Sequence, residues 1–353
     1  MSRDPENGLK SALGGGGSEG QLQWQAPWPL YAVAWCAASS ARGLARLALG
    51  SFIDGPSGNY IQIVDLAPGS DSPKRQCEPR HTRSLVYPCT KLLWEPAYEQ
   101  SLERSRRDRL ASASDFLRLW AVSEESMVLL ASLKASNRPE QTAPLTAMDW
   151  NEADRSALAT ASVDTTVAVW DPELGRIRTQ LIAHDNAVYD ISFDQSTAHH
   201  FVTCGADGSV RLFDLRSLDH STVLYESPTS NPLLRVSWNR QNNHYLLTLP
   251  SRSRLAVVLD IRMPAVPMAY IGSNEAPLNA LSWSPSSANH LATADTDGHV
   301  ALWELYQTVP KSEVRSFAEC SLEGPVDNLA WSPALPEWIA AVVAPSAVHV
   351  LQI

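Results

Sequence analysis

The feature that most constrains this chain is a stretch, His184 to Arg216 (HDNAVYDISFDQSTAHHFVTCGADGSVRLFDLR), that recurs in six weaker copies. It holds three β-rich runs, at Val188 to Phe193, His200 to Cys204 and Ser209 to Leu215. Its second break, Ala206-Asp207-Gly208, has the composition of a tight hairpin turn. The aromatic that ends the first run registers the copies at Trp35, Trp94, Trp150, Phe193, Trp238, Trp283 and Trp331, spaced 59, 56, 43, 45, 45 and 48 residues apart. A second register, the position before the acid that ends the third run, falls at Val64, Trp120, Trp170, Phe213, Leu259, Trp303 and Leu351, with gaps of 56, 50, 43, 46, 44 and 48. Two independent markers thus agree on seven units, with longer insertions only early. A unit of a few short strands cannot bury its faces alone, so each copy has to stack on its neighbours.

The tails VWD (169 to 171), LFD (212 to 214), VLD (257 to 260, with a doubled Val) and LWE (302 to 304) vary one Trp-Asp signature. That signature, at a period of about 40 to 45 residues, marks a WD-repeat blade. The fold expected is therefore all-β: a seven-bladed WD-repeat propeller over residues 21 to 353. The seventh unit finishes at Leu351, in the position of a third strand. A closed ring must take its missing outer strand from the other end, so Leu22 to Gln25 should pair with the last blade. Residues 1 to 20 are polar, end in GGGG at 14 to 17 without a following Lys-Ser/Thr, and read as a disordered leader.

Charge and cysteines narrow the function. A formal charge of -10 leaves no net basic field, which argues against direct nucleic-acid binding and for protein partners. The five cysteines (Cys36, Cys77, Cys89, Cys204, Cys320) include no CxxC pair and fit reduced thiols of the cytoplasm or nucleus. No apolar run approaches about 18 residues, so no membrane span is expected. The chain is expected to be monomeric by itself. Unit two carries an Arg-rich insertion, ERSRRDR (103 to 109), whose readings are a solvated loop or a partner-binding finger.

His184, Thr203 and Asp207 have the residue types of a base, nucleophile and orienting acid. In a WD blade the same types form a hydrogen-bonded support: His between outer and inner strands, Asp in the turn, Ser or Thr on the middle strand and Trp on the third. Buried polar groups need partners, and no GxSxG element is present, so the structural reading is preferred and catalytic residues are expected to be none. Phe213 replaces the Trp of this unit. Asp115, Asp164 and Asp297 take the turn position elsewhere, with Trp120, Trp170 and Trp303 on the third strands. Gln141, Thr229 and Asn274 stand at the His184 position. His199 and His200 are adjacent and point to opposite faces of a strand, and no HExxH or Cys/His ligand spacing occurs, so neither metal nor cofactor is expected. A hydrolase using acids of the central channel is the rival reading.

FDLR (213 to 216) and LDIR (259 to 262) are more informative. They resemble the WDxR box of substrate receptors that dock on the adaptor of cullin-RING ubiquitin ligases. Arg216 and Arg262 would project from one rim of adjacent blades, with Phe213, Asp214 and Asp260 beside them, and a planar guanidinium suits a partner pocket. An Arg there can equally brace the next blade through Asp214 or Asp260.

Over roughly 26 to 353 the chain resembles the WD-repeat family of plant Transparent Testa Glabra and anthocyanin regulators, light-regulated WD proteins and the animal DDB- and cullin-associated relative. The stretches that carry the likeness are APWPLYA (26 to 32), RLALGSF (46 to 52), YPCTKLLW (87 to 94), SDFLRLW (114 to 120), APLTAMDWN (143 to 151), DTTVAVWD (164 to 171), TQLIAHD (179 to 185), GADGSVRLFDLR (205 to 216), HSTVLYES (220 to 227) and PEWIA (336 to 340). The resemblance implies a non-enzymatic scaffold. Its partners would be MYB and basic helix-loop-helix transcription factors, a DYRK-type kinase, or a cullin-ligase adaptor. The segment SRSRLAVVLD (251 to 260) departs from the family around its hairpin turn.

Overall fold

The computed structural model describes residues 21–37, 45–66, 77–96, 108–135, 143–272, 276–306 and 313–353. The leader (1 to 20), Gln141, Asn274 and residues 103 to 107 of the Arg-rich run lie outside them. Among the described residues there are twenty-eight strands, and they form seven four-stranded antiparallel sheets. The chain opens with β1 (Gln21–Gln25) and then builds blade 1 from β2 (Leu30–Trp35), β3 (Ala45–Ser51), β4 (Asn59–Leu66) and β5 (Cys77–Leu85). Blade 2 holds β6 (Lys91–Trp94), β7 (Asp108–Ala113), β8 (Leu117–Val122) and β9 (Met127–Leu133). Blade 3 holds β10 (Leu145–Trp150), β11 (Leu158–Ser162), β12 (Thr166–Asp171) and β13 (Arg176–Ile182). In blade 4 come β14 (Val188–Phe193), β15 (His200–Gly205), β16 (Ser209–Asp214) and β17 (Ser217–Glu226). Blade 5 follows with β18 (Leu233–Trp238), β19 (Tyr245–Pro250), β20 (Ala256–Asp260) and β21 (Pro267–Ile271). Blade 6 has β22 (Leu278–Trp283), β23 (His290–Asp295), β24 (His299–Tyr306) and β25 (Glu313–Ser321), and blade 7 has β26 (Val326–Trp331), β27 (Trp338–Val343) and β28 (Ala347–Gln352).

The ring closes as the strand count requires. β1 lies antiparallel on β28, Leu22 opposite Val350 and Gln25 opposite Ala347, and completes the last blade from the other end of the chain. Leu22 is buried in the same cluster as Trp35 of blade 1 and Trp338 of blade 7, so this strand also seals the joint between first and last blades.

Apolar side chains alternate along each strand and meet those of the next blade, giving one buried cluster per blade joint. The aromatics that set the sequence register do this in two ways. Trp35, Trp94 and Trp283 donate their indole N–H to inner-strand carbonyls of the preceding blade, Ala330, Ala34 and Ser237, at 2.8, 3.2 and 3.1 Å. Trp150, Trp238 and Trp331 instead hold the turn that follows them, through Arg155, Asn243 and Pro336 carbonyls at 2.7, 2.8 and 2.6 Å. Phe193 has no N–H and packs edge-on to Phe201 at 5.8 Å.

Candidate functional site

Blade 4 carries the fullest polar network of the ring. His184 is buried in the loop that brings the chain from β13 into β14. Its Nδ1 lies 2.9 Å from Asp207 Oδ2 and its Nε2 2.8 Å from Thr203 Oγ1. A carboxylate can only accept, so Nδ1 carries the proton and Nε2 accepts from the Thr203 hydroxyl. Ser209 Oγ donates to Asp207 Oδ1 at 2.8 Å, and Arg211 pairs with Asp207 at 3.0 Å and Asp185 at 2.6 Å. Burial alone would raise the Asp207 carboxyl, but the hydrogen bonds from His184 and Ser209 outweigh it and hold it well below the usual carboxylate range. Thr203 is buried and its hydroxyl is spent on His184, which gives the trio the geometry of a strut.

Gly205 makes room for it. A Cβ there would lie 3.0 Å from the His184 ring and 2.9 Å from the Ala187 carbonyl oxygen. The corresponding positions of other blades hold side chains that fasten their own turns. Ser51 Oγ donates to Asn59 at 3.0 Å, and Ser162 Oγ accepts the Asp164 N–H at 3.3 Å. Asp295 accepts from the N–H groups of Asp297 and His299 at 2.9 Å each. This corrects the expectation for blade 6: Asp297 is exposed, and Asp295, 2% exposed, fastens the turn. Asp164 caps its turn by accepting from Thr166, at 2.7 Å from the hydroxyl, and Asp115 pairs with Arg118 at 2.8 Å. Trp120, Trp170 and Trp303 donate to Ser112, Thr160 and Thr293 at 2.9, 2.9 and 2.8 Å. In blade 5, Thr229 Oγ1 lies 3.4 Å from Ser227 Oγ.

Three acids stand on the inner strands, where the rival reading needs them. Asp149 accepts from Phe193 N–H at 2.7 Å and Gln195 Nε2 at 3.1 Å, and Asp190 accepts from Val236 N–H at 3.1 Å. Both therefore fasten one inner strand to the next. Desolvation pushes the Asp149 carboxyl up to about 6. Arg235 crosses the ring from blade 5 and donates to Tyr31 Oη of blade 1 at 2.6 Å. Burial would lower its pKa, but Tyr31 and Asp190 raise it on balance. Desolvation also raises Asp327, which faces Arg235. Among the described residues no group of three or more His, Cys, Asp or Glu could hold a metal ion. All five cysteines are free thiols, and burial pushes Cys89 up to about 12.

Arg216 and Arg262 lie two residues past the third strands of adjacent blades, in turns on one rim. Arg216 donates through Nε to Asp214 Oδ1 at 2.9 Å and through Nη2 to Oδ2 at 2.6 Å, and its backbone N–H reaches Oδ1 at 3.0 Å. Arg262 repeats this on Asp260 at 2.9, 2.6 and 2.9 Å. Each fork is braced by its own loop, and yet the side chains stay 61% and 55% exposed. Hydrogen bonds from each Arg hold Asp214 and Asp260 below the ordinary carboxylate range. Phe213 does not belong with the docking residues: it is 3% exposed and stacks on Phe201 at 5.1 Å. The rim gains instead Met263 and Val266, both exposed, on a turn fixed to blade 4 by Ala265 N–H on the Leu224 carbonyl at 2.7 Å. The only trace of this turn in sequence is the pair of prolines in MPAVP (263 to 267). Arg109, the end of the Arg-rich run, is no finger: it sits in β7 and pairs with Glu95 at 2.5 Å and with Glu173 of blade 3.

The WD domain, G-beta repeat family matches residues 129–171, 175–214 and 267–304. A Dictyostelium discoideum protein, DDB1- and CUL4-associated factor 7 homolog, is 39% identical over 318 residues, covering 90% of this chain and 94% of its own length. The chain belongs to this WD-repeat family. An uncharacterized WD repeat-containing protein of Schizosaccharomyces pombe is similar too, 37% identical over 310 residues, with 82% of this chain and 70% of that protein covered. Raptor of Chaetomium thermophilum, a solved structure, superposes with a TM-score of 0.73 over 94% of this chain at 14% identity, and this chain covers 28% of it, so the likeness concerns the fold alone. The chain is thus a WD-repeat propeller scaffold.

Proposed function

We propose that this scaffold docks on the adaptor of a cullin-RING ubiquitin ligase and presents substrates to it. The observation that supports this best is the pair of forks, Arg216 on Asp214 and Arg262 on Asp260, pre-oriented and exposed on one rim of adjacent blades. Held by its own carboxylate, each guanidinium loses little freedom on entering a partner pocket, and Met263 and Val266 add exposed apolar surface on the turn that follows Arg262. The family relative named for association with DDB1 and CUL4 favours this reading. A platform for MYB and basic helix-loop-helix factors or a DYRK-type kinase rests on the family resemblance that TQLIAHD and GADGSVRLFDLR carry, and takes second place. The protein would work in both cytoplasm and nucleus, where its thiols stay reduced.

Binding of the purified chain to DDB1, read by calorimetry, tests the proposal. Arg216→Ala and Arg262→Ala should each weaken binding by about 2 kcal/mol, as central interface residues do. Their melting temperatures should stay near that of the unaltered chain, because both side chains are exposed. If the double charge reversal to Glu binds DDB1 as the unaltered chain does, the rim is not the dock.

A further inference from the structure

Seven outer strands face solvent around this ring, and each presents an edge on which another chain can pair. Most are guarded. β5 carries Glu78, Pro79, Arg80 and Arg83; β13 has Arg176 and Arg178, β17 has Asp219 and Glu226, and β25 has Arg315 and Glu319. β21 is short and begins with Pro267, and β1 is rich in Gln. β9, MVLLASL, has no charge and no proline, and it exposes three consecutive aliphatic residues: Val128 at 44%, Leu129 at 46% and Leu130 at 51%. Its first residue is tied to blade 1 by Arg83 Nε on the Met127 carbonyl at 2.8 Å.

The flanks of β9 show what fits its edge. Glu124 and Glu125 precede it and Lys134 follows it, all three exposed, with Lys134 lying over the Phe116 ring at 4.4 Å. Against the monomer expected from the sequence, we infer that β9 pairs antiparallel with β9 of a second copy of this chain. A two-fold axis at Leu129 or Leu130 sets the aliphatic residues of the two copies together. It also brings the acidic turn of each copy beside Lys134 of the other. An antiparallel mate satisfies the edge backbone groups, and the isologous contact uses one self-complementary patch. β9 belongs to blade 2, whereas Arg216 and Arg262 belong to blades 4 and 5, so this inference and the docking proposal are tested by different variants.

Sedimentation of the full chain gives the test. The unaltered protein should be mostly dimer at about 100 μM, as a micromolar pair would be, and dissociate on dilution. Leu129→Lys should be monomeric with an unchanged melting temperature. The double variant Glu124→Lys with Glu125→Lys should be monomeric alone, as should Lys134→Glu, but an equal mixture of the two should form a heterodimer, because both charge contacts are restored. A monomer at about 100 μM, a Leu129→Lys variant that still dimerises, or a charge-swapped mixture that stays monomeric overturns the inference.

Discussion

His184 shows how one side chain sets the requirements of its neighbours. Its ring needs Asp207 and Thr203 as partners and forbids a side chain at position 205. Gly205→Ser should therefore destabilise the fold by about 2 kcal/mol or more through overpacking. Part of that cost should vanish in a His184→Ala background, and urea denaturation of the four proteins measures the coupling. Simple additivity would show that the ring and position 205 do not interact. Asp207 adds a pH signature. Its folded-state pKa is depressed, so its contribution is present above the unfolded carboxylate value of about 3.9 and is lost as pH falls further. The stability gap between the unaltered protein and Asp207→Asn should hold at on the order of 2 kcal/mol from neutral pH down to about pH 4 and narrow as the pH falls further. A gap that stays constant below about pH 4 would contradict the assignment.

At the scale of elements, β1 matters more than its five residues suggest. It is the fourth strand of blade 7, and Leu22 packs at the joint with blade 1. Removing residues 1 to 27 leaves the β28 edge unpaired and opens that joint, whereas removing residues 1 to 20 leaves β1 in place. The longer truncation should melt lower and aggregate, and the shorter should match the full chain in a thermal scan with light scattering. Equal behaviour of the two would mean that the ring does not depend on this strand. The need for β1 was legible in sequence from the count of strands in the seventh unit. That β9 is the unguarded edge was not, because MVLLASL reads like any buried strand until its outermost position in blade 2 is known.

At the scale of the whole ring, Arg235 and Tyr31 join blades 5 and 1, 204 residues apart in sequence. Arg235→Met removes the donor to Tyr31 and the positive charge that acts on Asp190 and Asp327, which should cost about 2 kcal/mol. Tyr31→Phe removes only the hydroxyl acceptor and should cost about 1 kcal/mol. Denaturant midpoints should rank in that order, and a neutral Arg235→Met would show that the contact across the ring is not structural.

By itself the sequence determined the seven units, their strand order and the closure by residues 22 to 25, because blade identity rests on short-range alternation and a period that survives substitution of the marker residues. It also placed Asp207 in its turn and Arg216 and Arg262 at strand ends, since local spacing decides those positions. Only the tertiary structure decided what each of them touches. Phe213 is buried on Phe201 although Leu212 and Asp214 beside it are half-buried, and Asp295 rather than Asp297 holds its turn. Arg235 meets Tyr31 only because the ring closes. A periodic pattern fixes which face a residue shares with its strand neighbours. Partners that come from another blade, or from the far end of the chain, are set by how the blades pack, and no spacing along the chain encodes that distance.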